Sequence, residues 1–174
     1  MADTIGLRTR AATLADAAAI AAIYNEGIAD RIATFETEPR SAENIAEWFT
    51  GQQLVMVAET EATGPVAFAA SFPYSDRAFY SGVGEFSVYV GRDFRGRGIG
   101  QPVLSALMEA AAARGLHKLL SRVFPENAAS RALLKAVGFE EIGIHRRQGK
   151  LDGHWRDCVV VERLLDTGGA EDHG

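Results

Sequence analysis

The chain has 174 residues and a mass of 18.7 kDa, with 47% hydrophobic and 24% charged residues, which fits one compact domain and argues against both disorder and two full domains. Eighteen Lys and Arg against 23 Asp and Glu give a formal charge of −5, so the diffuse positive field of a nucleic-acid or anionic-membrane binder is missing and a small-molecule partner is expected. A single cysteine, Cys158, cannot close an internal disulfide. No apolar stretch reaches the ~20 residues that span a bilayer, and the opening Met1-Ala2-Asp3-Thr4 is unlike a signal peptide, so the reading is cytoplasmic.

Residues 6–11 alternate like a short strand. Thr13 and Asp16 make a helix-start signal, and Leu14, Ala17, Ile20, Ala21, Tyr24 and Ile28 recur at helical spacing, so they form a stripe expected to face a core. Residues 29–40 carry no period and end in Pro39 and Arg40. They read as a loop between helices that presents Phe35 and Glu36, and loops of this length are often functional. Ser41 caps a second helix that turns Ile45, Trp48 and Phe49 inward and ends at Gly51. Strands at 54–59 and 66–71 flank the turn signal Thr63-Gly64-Pro65, and a third strand follows at 84–90.

Glycines then open a helix with Val103, Leu104, Leu107, Ala110 and Ala111 on its apolar face. A strand at 117–123, a helix at 128–137 closed by Gly138, and strands at 139–146 and 155–164 complete the order β-α-α-β-β-β-α-β-α-β-β. This is an α/β (α+β) class, with helices against a mixed, largely antiparallel twisted sheet that contains at least one β-α-β crossover. Residues 1–165 read as a single domain and the small, acidic residues 166–174 as a flexible tail.

Arg95-Gly96-Arg97-Gly98-Ile99-Gly100 lies between a strand and a helix. Backbone N–H groups and the positive helix end can converge there on a phosphate, and Arg92, Arg95 and Arg97 add a positive patch that Asp93 only partly offsets. A diphosphate suits that charge. A P-loop would need G-x-x-x-x-G-K-[ST], and the dinucleotide fingerprint would need Gly where Gln101 stands.

Arg95-x-x-Gly98-x-Gly100 after a strand resembles the R/Q-x-x-G-x-G/A loop with which the Gcn5-related N-acetyltransferase (GNAT) superfamily holds the pyrophosphate of acetyl-CoA. Asn127-x-x-Ser130-x-x-Leu133 followed by Gly138-Phe139 is similar to that superfamily's later helix motif, whose Asn contacts the pantetheine arm. Within the superfamily, Ile23-Tyr24-Asn25, Thr34 to Pro39, Glu85-x-Ser87-Val88-Tyr89-Val90 and Gly153-x-Trp155-x-Asp157 look like the phosphinothricin acetyltransferase group, which includes enzymes for arsinothricin and methionine sulfoximine. The resemblance implies acetyl-CoA as co-substrate, a small-molecule amine as acceptor, and a homodimer.

Acetyl transfer to an amine needs a deprotonated amine, a polarised carbonyl and the two centres in line. Glu85 opens a strand whose next residues are apolar or aromatic, so a partly desolvated carboxylate suited to general-base work is expected, and the matching glutamate has that role in the resembled family. Val88, Tyr89 and Val90 would offer backbone groups to the pantetheine as an added strand does, and one N–H could stabilise the oxyanion. Many superfamily members carry a tyrosine as general acid where this chain has Leu134. The acid is therefore unassigned among no acid at all, water, Tyr89 and another tyrosine.

For the acceptor, Arg77 suits oxyanion recognition and matches an arginine in the resembled group, while a solvated loop arginine is the bland reading. Phe35 could wall the pocket or simply pack against the second helix. Tyr80, His145, Lys150 and Trp155 are further candidates for acceptor recognition, each read first as a structural or surface residue. The four histidines have no metal spacing and no partner cysteines, and Cys158 in an apolar strand reads as an inert thiol, so no metal and a direct transfer are expected. The alternatives are a different amine, such as a polyamine, an aminoglycoside or a protein N-terminus, and a non-catalytic acetyl-CoA-binding regulatory module.

Overall fold

In a computed structural model that describes residues 6–168, seven strands form one sheet in the order β1-β2-β3-β4-β5-β7-β6. They are β1 (Arg8–Ala11), β2 (Leu54–Thr60), β3 (Gly64–Pro73), β4 (Val83–Val90), β5 (Lys118–Val123), β6 (Glu140–Leu151) and β7 (His154–Leu164). Helices α1 (Ala17–Asp30) and α2 (Ala42–Ala46) follow β1; α3 (Gly100–Ala113) and α4 (Ala128–Ala136) flank β5 in the chain. The order is the expected one. All strand pairs are antiparallel except β4 with β5, which α3 links as the crossover.

Side-chain alternation sends each strand's residues to two cores. Val57, Phe68, Ala70 and Tyr89 pack with Ile20, Ile23 and Ile45 under α1 and α2. Phe86, Leu119, Val159 and Val161 pack with Val103, Leu104, Leu107 and Leu134 under α3 and α4. The sheet is thus covered on both faces. No helix among the described residues is long and apolar enough to cross a membrane.

The ends of elements differ from the sequence expectation for local reasons. Leu14 is exposed, because it lies in a 3-10 turn (Leu14–Asp16) before α1 and so falls out of that helix's stripe. Hydrogen bonding begins at Arg8, not at residue 6. The α2 helix is one turn long and continues as a 3-10 turn through Glu47–Phe49; Ser41 caps it, accepting from the Asn44 N–H at 3.2 Å. β6 runs five residues past the expected end to Leu151, its alternation broken by register shifts at Glu141/Gly143 and His145/Gly149. Of the tail expected from 166 and the opening segment 1–4, residues 169–174 and 1–5 lie outside the described residues.

An ion-pair cluster ties β1 to β2 and to the start of α1. Arg10 donates to both oxygens of Asp16 at 2.8 and 2.9 Å and to Glu59 at 2.7 Å, while the Thr13 N–H donates to Asp16 at 2.8 Å. The hydrogen bonds from Arg10 hold the Asp16 carboxyl below its ordinary 3.8. A carboxyl lowered by folding adds stability that is present above the unfolded value and is lost as the pH falls through the folded one. Wild type is therefore expected to lose stability from about pH 5 downward. Asp16→Asn should cost about 1–3 kcal/mol at pH 7 and flatten that acid slope, as urea titrations at pH 7 and pH 3 would show. An unchanged slope would remove Asp16 from the cluster's pH response.

Candidate active site

β4 and β5 run together for only three pairs, Val83↔Lys118, Gly84↔Leu119 and Glu85↔Leu120. Beyond Glu85 they part. The Ser121 hydroxyl still reaches the Phe86 carbonyl at 2.8 Å, and past that point the β5-facing edge of Ser87–Val90 has no strand partner among the described residues. Two parallel strands that separate leave backbone N–H and C=O groups along a cleft, open to a ligand that adds as a strand does. Glu85 stands at its vertex.

Because Phe86 and Leu119 face the α3 side, Glu85, Ser87 and Tyr89 of β4 and Arg122 of β5 face the α1 side, with Phe124 just beyond. The Glu85 carboxylate is half-exposed and Oε1 is ion-paired with Arg122 Nη1. The apolar surroundings expected for Glu85 are thus corrected: its nearest charged neighbour is a guanidinium 37 residues away in sequence. Arg122 is not among the residues that the sequence singles out. Its signal was an arginine inside a strand of a β-α-β unit, where both faces are covered and apolar residues are the rule.

The loop after α1 crosses the mouth of this cleft. Arg31 pairs with Asp152 at 3.1 Å, the Ile32 carbonyl accepts from Asn127 Nδ2 at 3.3 Å, and Phe35 meets Phe124 edge-on at 5.0 Å between ring centres. A Cβ at Gly149 would lie 3.0 Å from the Phe35 ring, so glycine permits that approach. Phe35 therefore packs on the β5 end and on β6, not on the second helix. Glu36 fixes the loop's base: Tyr24 donates to it at 2.5 Å and Arg40 pairs with it.

Tyr89, half-buried, packs its ring into the α1 core. It stacks on Phe68 at 5.4 Å between ring centres, and a Cβ on Gly27 would come within 2.6 Å of its ring. Burial pushes its hydroxyl well above the ordinary tyrosine value, and neighbouring Tyr24 goes up to about 12 for the same reason, aided by Glu36. The packing of its ring against Phe68 and Tyr24 under α1 weighs against Tyr89 as the acid. Leu134 is buried in the α3–α4 core.

Gly96 and Gly98 have φ of +75° and +76°, and a Cβ on either would meet nothing within 4 Å. They bend the loop open toward solvent just before α3, whose first amides have no carbonyl in a preceding turn to bond. Ile99 is buried. Gly100 has another reason to be glycine: a Cβ there would lie 2.7 Å from Leu133, so it sets how closely α3 approaches α4. The arginine patch is smaller than expected, because Asp30 on α1 takes Arg92 at 2.8 Å and Arg95 at 2.6 Å. Arg95 also donates to the Val90 carbonyl at 3.1 Å, and Arg97 lies over the Phe94 ring.

Asn127 caps α4, its Oδ1 accepting from the Ser130 N–H at 3.1 Å, so both ends of its amide are engaged by the fold. Arg77 is exposed on the β3–β4 connection, with Phe79 as its aromatic neighbour at 6.0 Å, and is not joined to Glu85. Tyr80, His145 and Trp155 are exposed too, with Lys150 over the Trp155 ring at 4.7 Å. Burial raises the Cys158 thiol, as suits an inert side chain. Among the described residues no group of three His, Cys, Asp or Glu could hold a metal ion.

Residues 7–140 match the family described as "Acetyltransferase (GNAT) domain". The chain is 36% identical over 163 residues to an L-methionine sulfoximine/L-methionine sulfone acetyltransferase of Pseudomonas paraeruginosa, covering 90% of this chain and 94% of that one. A crystal structure of a phosphinothricin acetyltransferase from Sinorhizobium meliloti in complex with acetyl-CoA superposes with a TM-score of 0.85 at 29% identity, over 92% of this chain and 89% of that one. A ribosomal-protein-alanine N-acetyltransferase from Brucella melitensis gives 0.85 at 34% identity, over 91% and 99%.

Proposed function

The chain belongs to the GNAT acetyltransferase family, and on that premise we propose that it moves the acetyl group of acetyl-CoA directly to the α-amine of a small amino-acid-like acceptor of the phosphinothricin, arsinothricin or methionine sulfoximine type. The observation that carries this reading is Glu85 at the vertex of the cleft, one oxygen held by Arg122 and the carboxylate still half open to solvent. In a ternary complex Glu85 takes a proton from the acceptor ammonium, directly or through water. The thioester of acetyl-CoA supplies an activated acyl group and a thiolate leaving group.

The protein's share is mainly positional. The edge of Val88, Tyr89 and Val90 that β5 leaves without a strand partner would hold the pantetheine, and a backbone N–H there would face the carbonyl oxygen as charge develops. Arg95, Gly96, Arg97, Gly98, Ile99 and Gly100 would receive the diphosphate; their open, positive-φ backbone and the α3 start fit an anion. Asp30 must release or share Arg95 as the diphosphate binds. Asn127 and Ser130 would border the donor's path at the start of α4. Phe35, against Phe124, would wall the acceptor side, and Arg77 would meet its anionic head from the β3–β4 connection.

A second reading, acetylation of a protein N-terminus, is favoured by the likeness to the ribosomal-protein enzyme. Thiol release from acetyl-CoA by purified protein decides between them, with phosphinothricin, arsinothricin, methionine sulfoximine, a polyamine and an alanine-terminated peptide as acceptors. Turnover confined to the glutamate-like compounds is expected. Turnover of the peptide alone would replace the reading, and acetyl-CoA binding with no turnover of any amine would favour a binding module.

The working form we propose is a cytoplasmic homodimer. At the sheet's end β6 pairs, among the described residues, only with β7 and leaves Ile142 and Ile144 exposed, an arrangement a second copy would cover. Light scattering should give twice 18.7 kDa. Ile144→Asp should halve that mass, and a wild-type monomer at micromolar concentration would remove the dimer.

A further inference from the structure

The Glu85–Arg122 pair invites a question that a lone catalytic base does not. Arg122 is anchored on β5 opposite Val160 of β7, with its side chain 29% exposed, and it spends Nη1 on Glu85. Its Nε is buried and has no hydrogen-bond partner among the described residues, and Nη2 makes no hydrogen bond there either. Burying a guanidinium N–H without an acceptor is costly, and native proteins rarely leave one so unless a ligand or water completes it. The edge formed by Nε and Nη2 is also the planar fork that matches two carboxylate oxygens.

The pair therefore presents an anion and a cation side by side at the cleft's vertex. An α-amino acid presents the complement, an ammonium and a carboxylate on one carbon. Building on the proposed acceptor class, we infer that Arg122 is a specificity-determining residue that receives the acceptor's α-carboxylate on its Nε/Nη2 edge while Glu85 receives the adjacent ammonium. Because Nε is buried, offering that edge requires the Arg122 side chain to shift toward the cleft. Two contacts to one carbon fix which amine reaches the base. Arg77 then remains free for the oxyanion at the acceptor's far end. Polyamines, which lack a carboxylate, are disfavoured by the same guanidinium, because it places a positive charge beside their own.

The test compares L-methionine sulfoximine with its α-carboxamide, in wild type, Arg122→Met and Arg122→Lys. The readout is the ratio of kcat/KM for acid over amide, with acetyl-CoA affinity measured alongside. Loss of a charged, two-point contact should lower that ratio about 10- to 100-fold in Arg122→Met, with partial recovery in Arg122→Lys and acetyl-CoA affinity kept. If Arg122 served only to hold Glu85, both rates would fall together and the ratio would stay, which overturns the inference. Wild-type turnover of neither compound would instead overturn the acceptor class on which it rests. A variant that fails to bind acetyl-CoA is replaced in the comparison by the lysine variant, whose unchanged ratio would likewise overturn it.

Discussion

Glu85→Gln is expected to lower kcat by about 10²- to 10⁴-fold, the usual contribution of a positioned general base, while acetyl-CoA binds as in wild type. The substitution keeps the side chain's volume, and its amide oxygen can still accept from Arg122 Nη1, so the vertex of the cleft is preserved and only the proton acceptor is lost. The deficit should depend on pH. At neutral pH nearly all of the acceptor is ammonium and needs a base; as the pH rises toward the amine's own pKa, more of it is already free, so the gap between variant and wild type should narrow. Thiol-release rates from pH 7 to 9.5 check this. A variant within about fivefold of wild type at pH 7 would strip Glu85 of the role and leave the chemistry to orientation alone.

Glu85 was legible because it opens a strand that carries its own signal, Val88-Tyr89-Val90 running into the glycine loop. What it faces was not. Arg122 is joined to it only by the parallel register of β4 with β5, and Asp30 reaches Arg92 and Arg95 from the far end of α1, across more than sixty residues. Local patterns report an element's period and its caps, which is why the order of strands and helices and the Ser41 cap could be read. Charge partners between elements depend on registers that no single period contains. The two glycines of positive φ and the tightly packed Gly100 look alike as letters, yet one kind shapes the loop and the other sets the distance between α3 and α4. Asn127 shows the same limit: a residue matched to a ligand-binding motif is also a helix cap and a tie to the loop after α1.

The largest loss of stability is expected from Phe68→Ala. Phe68 is fully buried in β3, opposite Val57 of β2 on one side and Tyr89 of β4 on the other. Its ring stacks on Tyr89 and lies 5.9 Å from Trp48 and 6.2 Å from Tyr24, so truncation opens a cavity where sheet, α1 and α2 meet. Such truncations cost about 3–5 kcal/mol. For a chain of this size that is a fall in Tm of roughly 10 °C. Phe79→Ala is the control: its ring is 71% exposed, and a change within about 0.5 kcal/mol is expected. The loss at Phe68 should also be felt at the cleft, because Tyr89 rests on Phe68 and belongs to the strand whose free edge is proposed to hold the donor. At a temperature where the variant remains folded, its KM for acetyl-CoA should rise more than its KM for the acceptor. A Phe68→Ala protein that melts within 2 °C of wild type would mean, by that same scaling, a cost of under about 1 kcal/mol and a core that closes over the missing ring.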